Sequence, residues 1–366
     1  NPSHTQINEI HPEEWKYVLR SVLVYVGGHY VAYVRQNYRW WRMDDNIVEE
    51  ITLADQVGVD VYGLGEHHRD DYAVSSIAVA LAAAATQTKR IRFTSTVSVL
   101  SSDDPVRVFQ QFATLDGLSD GRAEIIAGRG AFSESFPLFG YDMNDYDDLF
   151  IEKLHMLLEI NKAEHANWPG SAHTQPLDGL GVYPRPVQLQ LPIWLGVGGT
   201  PQSAMRAGTM GLPMAMALIL GGEWKRVAPM FQLYHQAGHE AGHRASRLKT
   251  SLTAHGFVHN SMKSALDIYY PAHSAKMGKL GRERGMPMQS REMFEKFSGP
   301  NGGYFTGGPS QLSEKILAAH EVLRFDRILL QFGVGVIDHR SMLEAIEILG
   351  ANVIPEIRRG LAKAAG

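Results

Sequence analysis

Two clusters in this 366-residue chain combine side chains whose types and spacing suit chemistry. The first is Glu66, His67 and His68, a carboxylate and two adjacent imidazoles that close the apolar run "VDVYGLG". Imidazole is the side chain best placed to hold or move a proton near neutral pH. Neighbours on a strand point to opposite sides, so one of His67 and His68 faces a strand-end cavity and the other faces away. One catalytic and one structural imidazole is the economical reading, with Glu66 as support. The second cluster is glycine-rich: "LGVGGTPQSAMRAG" passes Gly198, Gly199 and Thr200 and enters a helix with Pro201 in its first turn. The free amides and dipole of a helix N-terminus suit a phosphate. Arg129, between Gly128 and Gly130 in "AGRG", adds a fixed guanidinium charge for the same group. These residues describe a phosphorylated cofactor.

Two other patterns in the chain compete with this reading. His239, Glu240 and His243 match the H-E-x-x-H zinc signature. Gly238 and Gly242 flank and interrupt it, in a polar segment where a helix should be ending. A helix loses about 1 kcal/mol per interior glycine. No metal is therefore expected, and zinc hydrolysis stands as a distant alternative. Gly196 and Gly198 follow a strand candidate, but Pro201 occupies the third glycine position of a dinucleotide fingerprint, which fails.

The elements that must position these residues alternate almost without a break. Seven short apolar runs, "VDVYGLGEHH", "IRFTSTVSVL", "RAEIIAGRG", "LPIWLGVGG", "LPMAMALIL", "TSLTAHGFVH" and "DRILLQFGVG", are separated by segments of helical spacing. Such alternation makes parallel βαβ units buried on both faces. An eighth strand in "SVLVYVGG", Ser21 to Gly28, completes the count of a closed (β/α)8 barrel, and the chain reads as one α/β barrel domain over 1–366. Barrel chemistry gathers at the C-terminal strand ends, which adds Thr96 and Val97 on the third strand and Phe332 and Gly333 on the last. Residues 1–42 are atypical, rich in aromatics and arginine without a clean period. Residues 259–325 form a long insertion before the last strand; in it "KMGKLGRERGMPMQS" lacks a core face and reads as a mobile loop beside the site.

Composition narrows the classes. The net charge of −4, with Lys and Arg spread along the chain, gives no footprint for nucleic acid or for a membrane surface. No run reaches the roughly 18 apolar residues of a membrane span. Zero cysteines exclude disulfides, thiolate metal sites and cysteine nucleophiles, and fit a cytoplasmic protein.

With these residues assembled, the chain resembles the bacterial luciferase-like flavin monooxygenases, (β/α)8 barrels that bind FMN. The resemblance runs from Asn46 to Arg359 and is carried by "GLGEHHRDDYAVSS", by "TSTVSVLSSDDPVRVFQQFATLDGLSDGRAEIIAGRGAFSESFPLFGYD" and by "LPIWLGVGGTPQSAMRAG". It implies His67 as the catalytic histidine near the reactive edge of the flavin, with His68 and Glu66 supporting it. Thr96 and Val97 fall where the family often has a non-prolyl cis peptide against the flavin ring. Arg129 and the Gly198, Gly199 and Thr200 loop fall on phosphate-contacting positions. The implied reaction oxygenates a small organic substrate with O2 through a flavin hydroperoxide, the reduced FMN coming from NAD(P)H directly or through a separate flavin reductase. A homodimer is expected on the same ground. Related barrels use the deazaflavin F420 for hydride transfer, which is the alternative activity. Where true luciferases carry a reactive cysteine this chain has Gly128, so light emission is not implied.

Overall fold

The computed structural model describes residues 21–26, 29–36, 39–43 and 46–365. The chain divides into two compact units, 1–49 and 50–366. In the first, β1 (Ser21–Val26), β2 (His29–Gln36) and β3 (Arg39–Met43) form an antiparallel sheet in that order. Val26 stands opposite His29, and Ala32 opposite Met43. This corrects the reading of Ser21–Gly28 as the first strand of a parallel barrel. Ser21–Val26 is a strand, but it pairs antiparallel with β2, and Gly27 and Gly28 lie outside the described residues. The physical reason is local. "SVLVYV" and "HYVAYV" are two runs of β-forming residues separated by a glycine pair, which is a hairpin signature, and a short hairpin closes at little entropic cost.

In the second unit each of the seven apolar runs holds a strand of one curled parallel sheet. In chain order these are β4 (Val61–Leu64), β5 (Arg92–Ser95), with the short β6 (Ser98–Val99) after it, and β7 (Ala123–Gly128). A separate antiparallel pair follows, β8 (His165–Trp168) and β9 (Leu177–Gly181), which the sequence reading missed. The sheet resumes with β10 (Ile193–Val197), β11 (Met214–Leu218), β12 (Thr250–Val258), β13 (Phe305–Gly307) and β14 (Arg327–Gln331). Its order is β4-β5-β7-β10-β11-β12, with β6 against β7. Along β12, residues 251–255 pair with β14 and residues 256–258 with β13. The interior strands are sealed on both faces: β7 is buried at all six positions, while the edge strand β4 is half-buried at all four. Helices cover the sheet as α/β alternation requires.

Buried polar anchors fix the loops at the N-terminal strand ends. The Asp116 carboxylate, fully buried, accepts from the Ala123 amide at 3.1 Å and from Gln188 Nε2 at 2.7 Å. Asp55 accepts from the amides of Lys89, Arg90 and Ile91 at 3.0, 2.9 and 2.7 Å. Burial works against its charge, but these three amides outweigh burial and hold its pKa below the usual range.

The 259–325 region is largely built of helices, Met262–Glu283, Arg291–Ser298 and Pro309–Leu323, around β13. The stretch read as lacking a core face continues the first of these as far as Glu283 and buries Gly278 and Gly281. Among the described residues no helix is long and apolar enough to cross a membrane.

Candidate active site

A cavity of about 1340 Å³ runs along the inner side of the sheet, from Asp60 and Asp326 at the N-terminal strand ends to Gly128, Val197 and Gln331 at the C-terminal ends. At its floor the peptide bond between Thr96 and Val97 is cis, and the Thr96 amide donates to the Leu64 carbonyl at 2.7 Å. Glycines on the flanking strands make room for these two residues. A Cβ on Gly63 would lie 2.4 Å from Thr96 Cγ2, and one on Gly128 would lie 2.6 Å from Val97 Cγ2. Gly128 thus sits where it does because Val97 occupies the space any side chain would need. Gly128→Ala is expected to cost about 1–3 kcal/mol of stability by overpacking a stiff β-branched neighbour, read as a shift in urea midpoint.

A cationic pole lies beside this floor. Arg129 Nη2 donates to Ser203 Oγ at 3.2 Å, Nη1 pairs with Asp147, and the guanidinium carbon sits 5.0 Å from the Tyr146 ring centre. Ser203 is the third residue of the helix Pro201–Met210, and its hydroxyl lies 2.7 Å from Thr200 Oγ1 at the N-cap. The sequence reading missed Ser203, although its place in the first turn of that helix was a usable signal. Gly198 and Gly130 line the cavity, whereas Gly199 and Thr200 are not among its wall residues. Gly199 has φ +112°, a backbone that side chains rarely adopt. Phe332 and Gly333 line the wall after β14.

The two histidines part company. His67 lines the cavity and His68 does not. The His67 ring stacks at 3.8 Å on Tyr72 and meets Phe132 edge-on at 5.5 Å; its amide donates to the Val74 carbonyl at 3.0 Å. Lys276 places its ammonium 3.3 Å above the Tyr72 ring and 3.1 Å from Asp71 Oδ2. Burial, and then repulsion from Lys276, lower the His67 pKa to about 4, so the ring is neutral at pH 7. Glu66 and His68 do not brace His67, as the sequence reading had it. They hold each other, His68 Nε2 lying 2.8 Å from Glu66 Oε1, while Glu66 Oε2 accepts from the Val99 amide at 2.9 Å. Burial raises the Glu66 pKa against the opposing pull of His68 and that amide. The pair ties the end of β4 to β6. Tyr72, Phe132 and Lys276 are the residues packed around His67; all three fall in stretches quoted from the sequence, but none was singled out there.

His67 also sets a pH dependence. Its folded pKa of about 4 lies below the usual 6.5, so the unfolded chain binds the extra proton first. Stability from the neutral ring is full above pH 6.5 and is lost as pH falls from there through about 4. His67→Gln is expected to flatten part of the decline of urea midpoint across that window.

The zinc alternative finds no support in the geometry. The helix Ala228–Glu240 ends at Glu240, His239 and Glu240 are exposed, and His243 Nε2 lies 2.8 Å from the Thr209 carbonyl. Gly242, with φ +81°, turns the chain between them. Among the described residues no three His, Asp or Glu side chains stand together as a metal site.

A parallel α/β barrel-type sheet thus brings an imidazole, His67, and a guanidinium, Arg129, to one cavity. The luciferase-like monooxygenase family model matches residues 43–324, and the chain belongs to that family. A second model, ubiquitin carboxyl-terminal hydrolase, matches residues 3–73. Among curated relatives, uncharacterized protein y4wF of Sinorhizobium fredii is 31% identical over 172 residues, 46% of this chain and 49% of that one. The alkanal monooxygenase alpha chain of Aliivibrio fischeri is 24% identical over 221 residues, 58% of this chain and 59% of that one. These two matches thus span only about half the length of each relative. Solved structures share the fold. Monooxygenase RslO1 from Streptomyces bottropensis superposes with TM-score 0.74 at 19% identity, over 85% of this chain and 92% of that one. The oxygenating constituent of 3,6-diketocamphane monooxygenase from Pseudomonas putida, in complex with FMN, gives 0.69 at 19%, over 86% and 93%. An F420-dependent secondary alcohol dehydrogenase gives 0.68 at 16%, over 85% and 94%.

Proposed function

We propose that this protein is an FMN-dependent monooxygenase that uses reduced flavin and O2 to oxygenate a small organic substrate. The observation that carries the reading is the pole at Arg129. A guanidinium held by Ser203 at the start of the helix Pro201–Met210, beside a cavity that also contains a neutral imidazole, fits a phosphate at one end and a reacting ring at the other. The donor set matches FMN: Arg129, Ser203 and Thr200 would hold its phosphate, and the Thr96–Val97 floor, cleared by Gly63 and Gly128, would carry its ring. Reduced FMN, when bound, supplies the electrons and oxygen reactivity that no side chain here possesses. The protein's part is placement. Tyr72 and Phe132 fix the plane of His67, whose neutral ring can donate one hydrogen bond and accept another at the reacting edge.

The reducing equivalents come from NAD(P)H, at this site or through a separate reductase. Because the F420-dependent alcohol dehydrogenase has the same fold, the test is a paired titration with FMN and F420. Saturable FMN binding with no comparable F420 binding is the expected result. F420 binding without FMN binding overturns the reading in favour of hydride transfer without oxygen.

A further inference from the structure

Strand β12 brings a second imidazole to the cavity. His255 is buried, lines the same cavity as His67, and stands in register with Gln331 at the C-terminal end of β14. Along the sheet it is separated from β4 by β5, β7, β10 and β11. Its Nδ1 lies 3.1 Å from Nε2 of His273, on the helix Met262–Glu283. His273 is fully buried in a cage of Tyr269, Phe294 and Tyr304, and its own Nδ1 has no partner.

That orphan nitrogen fixes the tautomers. Burial holds both rings neutral, lowering His255 to about 3, with His273 adding to the effect, and His273 to about 4. A neutral imidazole has one N–H. A buried N–H without an acceptor is rarer and costlier than an unused lone pair, so the His273 proton belongs on Nε2, donating to His255 Nδ1. Since that nitrogen accepts, the His255 proton sits on Nε2, the ring atom left to meet a ligand.

We infer that His255 presents a fixed N–H donor to the cavity and that this donor holds a neutral hydrogen-bond acceptor oxygen of the organic substrate. The inference rests on the oxygenase reading for the substrate's presence, but the tautomer does not. A neutral acceptor is favoured over a carboxylate because neither His255 nor His273, both neutral, balances a carboxylate charge, and burying an unpaired charge is costly. His273 is the positioning residue, since it alone decides which His255 nitrogen carries the proton.

The test is nitrogen-detected imidazole NMR on the FMN-loaded wild-type protein, with cyclohexanone and cyclohexane as probes. FMN affinity is measured separately, so failure of the cofactor reading is seen on its own. The expected result is a proton on Nε2 of both His255 and His273, with the His255 signal shifting on addition of cyclohexanone and not of cyclohexane. His255→Leu is expected to weaken cyclohexanone binding about tenfold and leave cyclohexane binding unchanged. His273→Phe, which keeps the aromatic cage, is expected to weaken cyclohexanone binding through loss of the fixed His255 tautomer. A proton on Nδ1 of His255 in the wild-type protein, or equal response to both probes, overturns the inference.

Discussion

Arg129→Ala is expected to weaken FMN binding by about 1.5–3 kcal/mol, roughly ten- to a hundredfold in Kd, the scale of a hydrogen bond to a charged group. The geometry makes the reading specific. Arg129 is held by Ser203 and by Asp147, whose side chain is 66% exposed. Losing the guanidinium therefore strands no buried carboxylate, and the fold should survive. Ser203→Ala is expected to have the same direction with a smaller effect, since it removes a neutral donor at the same pole. Isothermal titration of both variants with FMN measures this. An unchanged Kd in Arg129→Ala would remove the phosphate from that pole.

The second large effect concerns His67. His67→Ala is expected to leave FMN affinity largely intact while coupled oxygenation of substrate disappears and reducing equivalents are lost to peroxide. His67 is held by Tyr72 and Phe132, and it shares none of the Arg129 partners Ser203, Asp147 and Tyr146, so removing it leaves those contacts in place. Removing one well-placed acid–base group costs on the order of a hundredfold or more in rate. The coupling ratio, product formed per NAD(P)H consumed, is the readout. If His67→Ala abolished FMN binding and Arg129→Ala did nothing, the two roles would have to be exchanged.

Much of the scaffold was legible because buried parallel strands read as unbroken apolar runs, and all seven such runs became strands of one sheet. The eighth failed for a reason also visible in sequence. "SVLVYVGGHYVAYV" satisfies the signal of a hairpin as well as that of a barrel strand, and the local pairing won. In the site, His67 and His68 do part, but β4 ends at Leu64, so the loop that follows it, and not strand alternation, separates them and pairs Glu66 with His68, 2.8 Å away. Phe132, Lys276 and Ser203 are absent from the sequence reading for different reasons. Phe132 and Lys276 reach His67 and Tyr72 only through tertiary folding, from a loop after β7 and from the helix Met262–Glu283. Ser203 was in plain view in the first turn after Pro201, and only its partner Arg129 gives it meaning. The His255–His273 pair is hidden similarly, one ring on β12 and the other on the helix Met262–Glu283 inside the 259–325 insertion.

The most direct measurement of the central claim is reoxidation of the protein-bound reduced FMN. The holoprotein is reduced anaerobically, mixed with O2 in the presence and absence of candidate aldehydes and ketones, and followed by flavin absorbance. A monooxygenase is predicted to reoxidise its flavin more slowly than free FMN, to change that rate when a true substrate is present, and to lose both properties in His67→Ala. Bound reduced flavin that reoxidises like free FMN, with no dependence on substrate or on His67, would contradict it.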